Sequence, residues 1–150
     1  MAERNYTTRR LAIVNALVDT LKSINGTGNY RTNLYENVSP RLKFWDEVEE
    51  FPAVHINAGS ETREYQGGGY KDRFMSVTLR CYVNQEDAVE ALEALIEDVE
   101  TVLEENSRLK FYNKDNSEEY TQQISIISID TDEGVLEPYG VGEIVLEVRY

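Results

Sequence analysis

The chain has 150 residues, enough for one hydrophobic core and too few for two comfortable domains, so residues 1–150 are read as a single domain. Its formal net charge is −13, with 11 Lys/Arg against 10 Asp/Glu in residues 1–80 and 4 against 18 in residues 81–150. Such a balance repels phosphate backbones and argues against specific nucleic-acid binding. A single cysteine, Cys81, excludes an internal disulfide, and no segment has the composition of a signal peptide or a membrane span.

In chain order, residues 8–24 place Leu11, Val14, Leu17, Val18, Leu21 and Ile24 at helical spacing, with Thr7 or Thr8 as the cap and Gly26 at the end. Residues 30–36 alternate Tyr30, Thr32 and Leu34 with polar neighbours and read as a strand, broken at Val38-Ser39-Pro40. Leu42, Phe44, Trp45 and Val48 suggest an irregular or one-turn helical stretch, and Phe51-Pro52 opens a strand over residues 51–57.

Residues 58–72 then form a connection far longer than a hairpin turn. They carry Arg63, Tyr65, Tyr70 and Lys71 around Gly67-Gly68-Gly69, and Arg73 follows. Glycine supplies backbone freedom, while Tyr and Arg supply contact energy at interfaces. A mobile arm that orders against a partner and a plain solvated loop both fit this composition.

Residues 73–83 alternate cleanly, with Met75, Val77, Leu79, Cys81 and Val83 on one face. A box-like start at residues 84–87 leads into a helix reaching about Asn106, buried along Ala88, Ala91, Leu92, Leu95, Ile96, Val99, Val102 and Leu103. Glu86, Glu90, Glu93, Glu97, Glu100 and Glu104 line its other face with no interleaved base. That stripe is read either as a solvated face or as a surface for a basic partner. Residues 107–120 are polar and read as a loop or weak edge strand, anchored by Leu109, Phe111 and Tyr112. Residues 124–129 and 141–150 are strands expected to pair as a hairpin across the acidic turn at residues 130–140. The expected fold is therefore α+β: two amphipathic helices on one face of a mostly antiparallel sheet, with a long inter-strand arm.

Catalytic chemistry is not apparent. His55, the only histidine, sits inside a strand and reads as structural, as does Cys81. Metal-ligand spacing is missing, the Asp130–Gly134 segment lacks the ligands of a calcium loop, and the triple glycine precedes a strand rather than a helix. No catalytic residue, cofactor or metal is expected, and the chain is read as a non-enzyme.

Several loose motifs together carry a resemblance. Phe51-Pro-Ala-Val54 is followed by Gly59-Ser-Glu61 and a variable arm; Tyr82-Val83 leads into Leu92-x-x-Leu95-Ile96-x-Asp98-Val99-Glu100; Asp132-Glu-Gly-Val-Leu-x-Pro-x-Gly140 precedes a strand closing in Tyr150. This layout, from about residue 8 to residue 150, resembles the tail terminator proteins of long-tailed bacteriophages, also called tail completion or minor tail proteins of the lambda U type. The resemblance implies a homo-hexameric ring at the head-proximal end of the virion tail, assembled in the host cytoplasm. It also implies contact with the tail tube protein, with head–tail connector proteins and, in a contractile tail, with the sheath protein. DNA would cross the ring without specific binding. Another phage connector, such as a head-completion or tube protein, stays open, as does a small ligand-binding or enzyme domain outside phages.

Overall fold

The computed structural model describes residues 8–150. Helix α1 (Arg9–Leu21) starts where the Thr8 hydroxyl accepts a hydrogen bond from the Leu11 amide; Thr7 lies outside the described residues. Its apolar stripe is centred on Ile13, Leu17 and Leu21, which are fully buried. Leu11 was expected on that stripe but sits well round the helix from its centre and is 50% exposed.

A five-stranded sheet has the order β1-β2-β3-β7-β6. The strands are β1 (Val38–Ser39), β2 (Ala53–Tyr65), β3 (Lys71–Asn84), β6 (Gln123–Thr131) and β7 (Tyr139–Arg149). Only β1 runs parallel to its neighbour, opposite Val54 and His55 of β2. The expected strand over residues 30–36 does not form. There the Asp98 carboxylate of α2 (Ala88–Glu105) accepts from the amides of Arg31 and Thr32, and the Asn33 side chain accepts from the Tyr35 amide. Side chains have taken the bonds a ladder would need. Pairing instead falls on Val38–Ser39, where a break was expected.

Helices α1 and α2 cover one face of the sheet. Met75, Val77, Leu79, Cys81 and Val83 of β3, Val54 and Ile56 of β2, and Ile144, Leu146 and Val148 of β7 meet them in one buried cluster. Close approach of α2 to β7 depends on Gly140: a Cβ there would lie 2.7 Å from Val83 Cγ2 and 3.2 Å from the Ala88 carbonyl. Residues 107–120, expected as a loop or weak edge strand, form a separate two-stranded ribbon, β4 (Lys110–Tyr112) with β5 (Glu118–Tyr120). Leu109 and Phe111 anchor it in the core, whereas Tyr112 is exposed. The β6–β7 hairpin forms as expected.

Among the described residues, the second face of the sheet is covered at its β1 side. There the segment before β2 forms a one-turn 3-10 helix (Trp45–Glu47) and crosses over Tyr82 and His55. Tyr82 donates its hydroxyl proton to the Lys43 carbonyl, and His55 Nδ1 donates to the Arg41 carbonyl at 2.8 Å, since a carbonyl only accepts. Burial holds the His55 imidazole below its ordinary pKa against the raising effect of that bond, with the Lys43 charge assisting. His55 is thus a neutral packing residue, its ring edge-on to Tyr82 at 5.5 Å.

Candidate interaction surface

Residues 58–72, read from sequence as a mobile arm or a solvated loop, are for the most part a β-hairpin. Strands β2 and β3 continue as a two-stranded ribbon to Tyr65 and Lys71, and Gly67–Gly69 form a single tight turn at the tip. Gly68 and Gly69 have φ of 77° and 82°, a region costly for residues with a Cβ. Polar alternation along residues 61–65 hid the strand, because no apolar face marks it.

A bulge decides where the arm's side chains point. Ala58 lies opposite Val77, and the next pair is Glu61 opposite Met75, so β2 carries one extra residue around Gly59 and Ser60. Before the bulge the even residues Val54, Ile56 and Ala58 face the helices. Beyond it the odd residues do, because directly paired residues share a face and Met75 is buried in the core. Arg63 therefore lies opposite Arg73, and Tyr65 opposite Lys71, all on the helix side. Tyr70 falls on the other side with Glu64 and Asp72, and Asp72 pairs with Arg149 at 3.0 Å.

The structure thus brings Arg63, Tyr65, Lys71 and Arg73 together and separates Tyr70 from them. Tyr65 and Tyr70 are 74% and 75% exposed. The Lys71 ammonium lies 5.9 Å from the Tyr65 ring centre, and the Arg73 guanidinium 5.4 Å from that of Tyr150.

Glu61, missed in the sequence, is the acid at the root of this face. Its side chain is only 7% exposed; it accepts from Arg63 Nε at 2.7 Å and from the Tyr150 hydroxyl. Burial alone would raise its pKa, but the bonds from Tyr150 and Arg63 and the charges of Arg63 and Arg10 outweigh that and hold it below the ordinary value. Burial and the Glu61 carboxylate push Tyr150 up to about 12. The Arg10 guanidinium donates to the Gly59 carbonyl, fastening α1 to the bulge.

The acidic stripe is shorter than expected. Glu86 lies in the turn before α2, since Asp87 is the residue preceding the helix and makes no capping bond through its side chain. Glu90, Glu93, Glu97 and Glu104 are exposed and Glu100 half-buried. Arg31 approaches Glu97 at 3.9 Å. Beside the stripe runs an open groove of about 550 Å³, reaching Ile129 of β6 across Ala94 and Ile96. A second bulge, between Ile126 and Ser128, turns Ile129 toward α2 opposite Ile144; it is 40% exposed.

Burial pushes the Cys81 thiol up to about 12, leaving it protonated and unreactive. Among the described residues no group of His, Cys, Asp or Glu is placed to hold a metal ion, and no helix is long and apolar enough to cross a membrane. The conspicuous surface features of this α+β domain are the projecting ribbon and the charged face of α2.

The family profile of the bacteriophage tail tube terminator protein matches residues 7–150. The chain is 35% identical over 149 residues to the tail tube terminator protein p142 of Escherichia phage T5, covering 94% of this chain and 92% of that protein. It belongs to the tail tube terminator family and is a structural component of the phage tail, carried in the virion. A chain in the virion of a native gene transfer agent particle shares the fold, with a TM-score of 0.59 at 10% identity, over 95% of this chain and 98% of that one.

Proposed function

We propose that the protein caps the finished tail tube as a homo-hexameric ring, ends tube growth and offers the surface to which the head attaches. The observation that carries this reading is the match to tail tube terminators along nearly the whole chain. The surface supports it: an exposed ribbon bearing Arg63, Tyr65, Tyr70, Lys71 and Arg73 suits docking, since Tyr and Arg dominate contact energy at interfaces. In this reading the chain acts as one non-enzymatic domain. Its partners are further copies of itself, the tail tube protein, the head–tail connector proteins and, where the tail contracts, the sheath protein. DNA crosses the ring without being held, which its acidity favours.

The test is tube length. Tails assembled without this protein should carry tubes of scattered, excessive length and attach no heads, and adding the purified protein during assembly should restore one length. Tubes of normal length in its absence would refute the terminator role.

A further inference from the structure

We infer that the cationic face of the β2–β3 ribbon seats in the acidic groove beside α2 of a second copy, head to tail. The inference rests on the ring reading and names the surfaces that would meet in it.

The ribbon's helix-side face is built with an unmet charge. Arg63 stands directly opposite Arg73, with Lys71 diagonal to Arg63. Like charges in that position disfavour the pairing. Glu61 is the compensating acid, and Arg63 and Tyr150 already occupy it. Among the described residues neither Lys71 nor Arg73 has a carboxylate within ion-pair distance; each lies over a tyrosine ring instead. On the opposite side of the same ribbon Asp72 is paired with Arg149 of β7. The bulge at residues 59–60 directs Arg63 and Tyr65 to the cationic side, and Arg10 holds that bulge in place.

A counterpart of matching chemistry lies elsewhere on the same chain. Glu90, Glu93, Glu97 and Glu100 rim the groove together with one cation, Arg31, which approaches Glu97 at 3.9 Å, while Ala94 and Ile129 give it an apolar floor. A ribbon presenting a tyrosine ring between cations fits a floor of that kind inside an acidic rim. The stripe does not serve the helix: carboxylates three and four apart repel, and Glu104 and Glu105 oppose the dipole at its C-terminal end.

Ribbon and groove lie toward opposite edges of the sheet, the ribbon extending β2 and β3 toward one edge and the groove reaching β6 at the other. A contact between two different patches is heterologous, so it propagates from copy to copy and closes into a ring when the rotation allows.

A charge exchange tests this in tails assembled with variant protein and imaged for rings at the tube end. Lys71→Glu/Arg73→Glu and Glu93→Lys/Glu97→Lys should each melt near the parent temperature and reduce ring occupancy by about tenfold or more. The chain carrying all four changes should recover most of it. Loss from the ribbon variant with full occupancy from the helix variant would overturn the inference and assign the ribbon to another tail protein, with the ring itself intact. No ring from the parent protein would defeat the ring reading instead. A second measurement does not depend on charge. Tyr65→Cys with Ala94→Cys in one chain should yield a ladder of covalent oligomers under mild oxidation of assembled tails, and either change alone should yield none. Absence of a ladder from the double variant would also overturn the inference.

Discussion

At the scale of single residues, the junction of Glu61, Arg63 and Tyr150 joins the ribbon to the body of the fold. The Glu61 carboxyl is held below its ordinary value in the folded protein, so the charged form is favoured by folding. Its contribution to stability is present above the unfolded carboxylate range and disappears as pH falls through the lowered folded value. Tyr150, pushed up to about 12, runs the other way: its contribution is present below the ordinary tyrosine value of 10 and is lost as pH rises through about 12. Denaturant midpoints for the parent and Glu61→Gln should therefore differ at neutral pH and converge in acid; equal midpoints throughout would contradict the coupling. Gly140 acts through space rather than backbone conformation. Gly140→Ala drives a methyl against Val83 and the Ala88 carbonyl and should cost about 1–3 kcal/mol, read by equilibrium unfolding.

At the scale of elements, the bulge in β2 determines what the ribbon presents. Deleting Ser60 makes the ladder regular: Glu61 stays opposite Met75 and Arg63 opposite Arg73, but the bend and twist of the bulge are lost, and with them the site where Arg10 holds the Gly59 carbonyl, so the ribbon is re-aimed. The core face through Ala58 is untouched, so unfolding should remain cooperative while incorporation into tails falls sharply. Normal incorporation would mean that the bend the bulge gives the ribbon is irrelevant.

The same contrast separates what was legible in the sequence from what was not. Period-two alternation of Met75 to Val83 and the helical stripe from Leu92 to Leu103 announce themselves because one side is buried. Residues 62–65 form a strand with no buried side, so their pattern resembles a loop. Asp98 is invisible to periodicity: a carboxylate on a helix reads as solvent-facing, yet it is 3% exposed and holds the amides of residues 31 and 32. The arm residues were identified as types suited to contact, but their sharing of a face depends on a single inserted residue. Neither Gly59 nor Ser60 marks that insertion in the sequence.

At the scale of the whole molecule, charge governs what the protein rejects as well as what it joins. With a net charge of −13 it should retain no duplex DNA on a filter at physiological salt. Tight binding that weakens steeply with added salt would contradict that expectation. The fold extends a ribbon from its core, an economical arrangement for a subunit that completes itself against neighbours. The central claim is that this chain forms the terminal ring of the tail tube, and cryo-electron microscopy of intact tails tests it most directly. The account predicts six copies in a closed ring at the head-proximal end of the tube. A ring of another order, or this protein elsewhere in the particle with that end bare of it, would contradict the account.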